Sequence, residues 1–364
     1  MNSANVIMPV AAFRQGLSET GYVEGQNVAQ MPEAVNLPRR GSVHGVPAKM
    51  IYIRGLLAGA LVVLSACASS FTPADVDYFQ PPIVSTSAPA KPLRESWNLS
   101  NNTTRVGLAE MRPLVPAYAG TGALLVSWNP HAGGARDRLT FIVTHGGHGL
   151  TPTNFATALW LRRTFDANVL VLDAYWSRGI EENWKTGTRY GASMRSLDAI
   201  AAARWLRDTQ GTDPGKTFLL GDSQGGWTVL RTFTNEGYWQ DEVRKLFRGG
   251  IALYPVCKEN GTAQYPRLGP YVAPVIAFTG GRDTATPADE CRRTVLTGAT
   301  RWITYPDQTH GWDVANRGAH TPAVDGECGR AMNVYNQFPV CRSNSTTNDM
   351  REKIRSFVRE TSSY

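Results

Sequence analysis

The sequence predicts an α/β fold: a mostly parallel central sheet with helices on both faces. Three observations carry this. Short, almost wholly apolar runs recur along the chain and alternate with stretches of helical spacing, as strands covered on both faces require. One such run leads into Gly221-Asp222-Ser223-Gln224-Gly225-Gly226, a strand, a tight turn and the start of a helix. Finally, a serine, an aspartate and a histidine each stand just past the carboxyl end of a strand, the edge where ligands gather on a parallel sheet.

The elements follow in order. Residues 122–128 form an early strand, broken by Pro130 and by Gly133-Gly134. A buried strand over 139–144 runs into His145-Gly146-Gly147-His148-Gly149. A helix over 153–166 precedes a strand over 168–173. Residues 194–207 are strongly amphipathic, with Leu197, Ile200, Ala201, Arg204 and Trp205 at helical spacing. The strand over 217–220 feeds the serine turn and a helix over 227–231. Further strands are expected over 250–254, 275–278 and 301–305, with helices over 288–296 and 347–360.

The serine turn has a physical logic. A cramped backbone lifts the Ser223 hydroxyl clear of the strand end, and bulk two residues to either side would strike the neighbouring strand or helix. Both positions are glycine, Gly221 and Gly225. The helix behind offers free N–H groups to a developing negative charge. A serine hydroxyl is a poor nucleophile without a base. Two sites supply the remaining parts: Gly281-Arg282-Asp283 after the strand over 275–278, and Asp307-Gln308-Thr309-His310 after the strand over 301–305. Asp283 also suits a helix N-cap ahead of Pro287. Asp313 is a competing acid and His320 a reserve base.

Composition narrows the alternatives. The chain has 364 residues, 42% hydrophobic and 18% charged, enough for one large core or two modest ones. The net charge of +7 is spread singly, without a Lys/Arg run, so it reads as surface balance and no nucleic-acid partner is expected. The five cysteines show no zinc spacing, and His145 and His148 have no nearby carboxylate, so neither a metal nor another cofactor is implied. Trp176, Trp184, Tyr190 and Trp312 either line a pocket or belong to core and rim.

The amino-terminal third is organised differently. Residues 50–67 place Lys49 and Arg54 around an apolar run that ends Leu64-Ser65-Ala66-Cys67. This resembles a bacterial lipoprotein signal and its lipobox, too short for a comfortable membrane span. The resemblance implies export, a lipid on Cys67, and a place in the periplasm or at the outer membrane. Residues 13–29 resemble a fragment of the periplasmic substrate-binding proteins of ABC transporters. Residues 1–49 are therefore read as a leader that does not fold. Residues 68–112, rich in Ser, Pro, Ala, Thr and Asn, read as a flexible tether, and residues 113–364 as the folded domain.

From about residue 139 to 360 the chain resembles the dienelactone hydrolase family of the α/β-hydrolase superfamily. The pieces are His145-Gly146-Gly147-His148-Gly149, Asp173 with Arg178-Gly179, Asp198-Ala199 with Trp205-Leu206, the Ser223 turn, Gly281-Arg282-Asp283 with Thr286-Pro287, and Tyr305-Pro306 with His310. The chain order Ser, Asp, His is that of this superfamily. The resemblance implies the α/β-hydrolase fold and a hydrolase acting on a small-molecule ester. Ser223 would be nucleophile, His310 base and Asp283 its orienting acid. The backbone N–H groups of Gln224 and Gly147 would hold the oxyanion. His145 and His148 would shape that loop. Founding members carry cysteine where Ser223 stands, so a dienelactone substrate is not implied. A long cysteine-bearing excursion after His310 is a second departure. Acyl transfer by the same residues, and a scaffold without catalysis, remain alternatives. A chymotrypsin-like protease does not, because histidine and aspartate follow the serine here.

Export would place the cysteines where disulfides persist. With Cys67 lipidated, four remain, and these allow three pairings. Adjacent parallel strands bring Cys257 and Cys291 to the same sheet edge, and Cys328 and Cys341 close a loop in the excursion. Cys257–Cys291 and Cys328–Cys341 are therefore the expected pairs. The first would brace the loop presenting Asp283, and the second would stiffen a loop beside the active site.

Overall fold

The computed structural model describes residues 108–109, 111–117, 123–175, 180, 192–234, 239–257, 270–294, 300–314, 324–332 and 337–362. The leader, the signal-like segment with Cys67, and nearly all of the tether lie outside the described residues. So do Trp176, Trp184, Tyr190 and His320. Among the described residues, no helix is long and apolar enough to cross a membrane.

Ten strands and six α-helices are described. The strands are β1 (Arg112–Pro116), β2 (Ala123–Asn129), β3 (Thr140–Thr144), β4 (Asn168–Asp173), β5 (Thr217–Asp222), β6 (Gly249–Leu253), β7 (Val275–Gly280), β8 (Thr300–Tyr305), β9 (Cys328–Met332) and β10 (Gln337–Cys341). The helices are α1 (Pro152–Phe165), α2 (Ala192–Gln210), α3 (Gln224–Phe233), α4 (Gln240–Leu246), α5 (Ala288–Thr294) and α6 (Asn344–Ser362). Eight strands form one sheet in the order β1-β2-β4-β3-β5-β6-β7-β8. β2 runs antiparallel to β1 and β4, and every other neighbouring pair in the sheet is parallel. This is the α/β-hydrolase fold.

The strands are apolar on both sides because both sides are covered. In β3, Ile142 packs into one core layer with Leu197 and Ile200 of α2, Val229 and Leu230 of α3, and Val243 of α4. Its neighbours Phe141 and Val143 point the other way, to Phe155 and Leu161 of α1 and Ile354 and Phe357 of α6. Each such fully buried side chain contributes on the order of 1.5–3 kcal/mol. The expected alternation of strand and helix holds, with boundaries moved by a few residues.

Three features go beyond the sequence reading. The folded chain starts before residue 113: Arg112 opens β1, Met111 is buried, and Ala109 accepts a hydrogen bond from the Ser127 hydroxyl. The Ser- and Pro-rich composition concealed that short edge strand. Helix α4 was not expected, its seven residues being too few to show a period. The excursion after His310 holds the antiparallel hairpin β9–β10, with Cys328 opposite Cys341.

The β5–α3 junction sets the position of Ser223. A methyl group on Gly221 would lie 2.3 Å from the Gly225 carbonyl oxygen, and one on Gly225 only 2.6 Å from that of Thr144. Gly225→Ala should therefore cost roughly 1–3 kcal/mol of stability. Urea unfolding measures this, and an unchanged midpoint would show that the junction is looser than described.

Candidate active site

Three loops at the carboxyl edge of the sheet bring Ser223, His310 and Asp283 together. Ser223 stands between β5 and α3 with φ 53° and ψ −115°, a backbone conformation that non-glycine residues seldom adopt. Its N–H donates to the Leu253 carbonyl at 2.9 Å, and its carbonyl accepts from Trp227 N–H at 3.0 Å and Val256 N–H at 3.1 Å. The side chain is half-buried. His310 lies with its Nε2 3.1 Å from Ser223 Oγ and its Nδ1 2.8 Å from Asp283 Oδ2.

Asp283 is buried, at 4% exposure, and its acceptor sites are occupied. Oδ1 accepts from the Ala285 and Thr286 N–H groups, each at 2.8 Å, and Oδ2 accepts from the Thr286 hydroxyl at 2.7 Å. A carboxylate held this way stays fixed beside the imidazole. The two loops are also tied to each other: Gly281 N–H donates to Tyr305 O at 2.8 Å, and Arg282 N–H to Gln308 O at 2.9 Å. The competing acid, Asp313, is engaged elsewhere. Its Oδ1 accepts from the Tyr254 hydroxyl at 2.7 Å.

The loop expected to hold an oxyanion follows β3. Gly147 lies against the residue after the serine, for a methyl group there would come within 3.4 Å of the Gln224 side chain. The Gln224 Oε1 in turn accepts from the Tyr175 hydroxyl at 2.8 Å. His145 is fully buried, and its Nε2 accepts from Ala174 N–H at 3.1 Å. The ring proton therefore sits on Nδ1, which donates to Gly146 O at 2.7 Å. Both ring nitrogens of this histidine thus engage backbone groups, one in the loop after β3 and one at the exit of β4. Arg195, buried on α2, donates to the His145 carbonyl and to Thr144 Oγ1, bracing the same loop from below. Asn154 at the start of α1 donates to Asp222 Oδ1 at 2.6 Å, linking that helix to the elbow.

The cysteines pair as Cys257–Cys291 and Cys328–Cys341. The first bond joins the exit of β6 to α5, the helix that follows the Asp283 loop. The second closes the β9–β10 hairpin, whose Cys341 N–H donates to Thr309 Oγ1 beside His310. Phe338 of the same hairpin packs its ring 5.3 Å from the imidazole. Trp312 is completely buried and stacks edge-on with Tyr254 and Tyr305, so it belongs to the core. Among the described residues, no three His, Cys, Asp or Glu side chains cluster to hold a metal.

Tyr175, Arg195, Asn154, Tyr254 and Phe338 were not singled out from the sequence, and Thr286 only as part of the Asp283 motif. Thr286 carried one signal, its place three residues after Asp283. The others meet the site only through tertiary contacts.

No family model matches the chain, and no curated relative does either. Similar solved structures exist. A candidate dienelactone hydrolase from Klebsiella pneumoniae is 13% identical, with 67% of this chain and 96% of that one covered, at a TM-score of 0.48. The α/β hydrolase MGS-M1, from a Medee basin deep-sea metagenome library, is 12% identical over 70% of this chain and 99% of that one, also at 0.48. Propionate-bound esterase 2 of Thermogutta terrifontis is 16% identical over 74% and 97%, at 0.47. At such scores the likeness carries no argument about chemistry, which rests on the geometry of this chain alone.

That geometry separates the two acids. Asp283→Asn should lower kcat by several orders of magnitude, about 10⁴-fold where the imidazole tautomer is lost. Asp313→Asn keeps an acceptor for the Tyr254 hydroxyl and should change kcat by less than about tenfold. Steady-state rates of the two variants with an activated ester decide between them, and the reverse order would move the acid role to Asp313.

Proposed function

We propose that this protein is a serine hydrolase that cleaves an ester-type acyl substrate through a covalent acyl-enzyme. One observation carries the reading: the continuous hydrogen-bonded chain from Ser223 Oγ through both ring nitrogens of His310 to Asp283 Oδ2. Ser223 Oγ would attack the acyl carbonyl while His310 Nε2 takes its proton. The Nδ1–H directed at Asp283 holds the tautomer that leaves Nε2 free to accept, and the carboxylate stabilises the imidazolium that forms. The carbonyl oxygen, now negative, would lie against the Gln224 and Gly147 N–H groups, each worth about a hundredfold or more in rate. The leaving alcohol takes the proton back from His310. Water then repeats the cycle on the acyl-enzyme, bond for bond.

Because a serine stands where the founding members of the resembling family carry cysteine, the reading does not extend to a dienelactone substrate. The lipoprotein-like segment ending at Cys67 supports placing this activity outside the cytoplasm, on a lipid anchor.

Ser223→Ala tests the reading. The variant should unfold at the wild-type temperature and retain below about 1% of wild-type hydrolysis of p-nitrophenyl acetate. Substantial remaining activity in a protein freed of contaminating esterases would place the nucleophile elsewhere.

A further inference from the structure

Tyr254 is the residue after β6, and three features set it apart from ordinary core aromatics. Its φ is 33°, in the left-handed region that a bulky side chain enters only when its surroundings force it. It is 2% exposed, yet its hydroxyl is bound to a carboxylate, Asp313, at 2.7 Å. Its ring meets the imidazole of His310 at 4.8 Å between centroids, tilted by 67°.

The imidazole needs such a contact. Hydrogen bonds at Nδ1 and Nε2 hold two edge atoms of the ring but brace neither face against a roll about the Cβ–Cγ bond. Roll swings Nε2 out of line with the Ser223 hydroxyl. Aromatic rings packed on the imidazole oppose this, and two do so: Tyr254 and Phe338. Tyr254 acts on both halves of the pair. Its carbonyl lies 3.2 Å from Thr286 Oγ1, the hydroxyl that donates to Asp283 Oδ2 at 2.7 Å. Its backbone N–H is held by Phe278 O at 2.7 Å, and its ring is backed by Trp312 at 5.1 Å. The charged groups around the imidazole are Asp283 directly and Asp313 through Tyr254. Beyond Asp313, Arg351 of α6 feels that carboxylate's charge.

We propose that Tyr254 is a positioning residue for His310, its ring stopping the imidazole from rolling and its hydroxyl bond to Asp313 fixing the ring. The inference rests on the hydrolase reading above and adds to it a residue that acts through His310.

Two variants test it. Tyr254→Phe keeps the ring and releases it from Asp313, and Tyr254→Met removes the ring while keeping much of the volume. Tyr254→Phe should lower kcat by about three- to tenfold with KM within about twofold. Tyr254→Met should approach the hundredfold loss that a misplacement of about 1 Å produces. The second readout is the far-downfield proton resonance of His310 Nδ1–H, which should broaden or vanish in both variants. A purely structural role would lower the melting temperature and leave kcat and the resonance of the folded protein alone, and that result overturns the proposal. If Tyr254→Met does not fold, Tyr254→Phe decides by itself. A wild-type protein without ester hydrolysis and without the resonance refutes the triad reading. An active wild type with indifferent variants refutes only the role of Tyr254.

Discussion

The backbone at Ser223 is the constraint on which the rest of the site depends. Holding a non-glycine residue at φ 53° and ψ −115° costs on the order of 1–3 kcal/mol, and the chain does so only because the surroundings leave no alternative. Ser223 is gripped at both its N–H and its carbonyl by the β6 strand and its exit. Glycines on either side let β5, α3 and the Thr144–His145 backbone close to distances that no side chain permits. Because the strain is locked by the sheet itself, the hydroxyl is presented from the interior of the eight-stranded sheet. The loops around it need only bring their groups to a fixed point.

The two halves of the site are braced by different means. Ser223 and the loop after β3 sit in the middle of the sheet, where β3 and β5 are neighbours, and buried polar contacts from Arg195, Asn154 and Tyr175 hold them. Asp283 and His310 follow β7 and β8, nearer the sheet's edge, and need bracing there too. Covalent bonds take up that task. One disulfide joins the exit of β6 to the helix beyond Asp283, and the other closes the hairpin that lays Phe338 on His310. Bonds closing loops of this size are worth roughly 2–4 kcal/mol each in the chain-entropy view. They fit the proposal that the chain is exported, to a compartment where disulfides would persist.

Much of this was legible in the sequence. The buried strands declared themselves as apolar runs, because a sheet covered on both faces has no polar side to encode. Ser223, Asp283 and His310 were legible because turn chemistry and strand ends are local properties. What stayed hidden depended on long-range contacts or on short elements. β1 and α4 are too brief to show a period. Tyr254 looked like the last apolar residue of a strand, and only its positive φ and its ring contact with His310 mark it otherwise. Arg195 lay within an amphipathic helix where an arginine reads as surface, yet it is almost fully buried under the oxyanion loop.

The account claims above all that the strained Ser223 is activated by His310 for attack on an electrophile. Treating the purified domain with diisopropyl fluorophosphate and locating the adduct by peptide mass spectrometry tests that claim directly, because the reagent reports nucleophilicity without a substrate match. The expected result is a single phosphoryl adduct on Ser223, forming orders of magnitude more slowly in His310→Ala. An adduct on another residue, or equal rates with and without the imidazole, would contradict it.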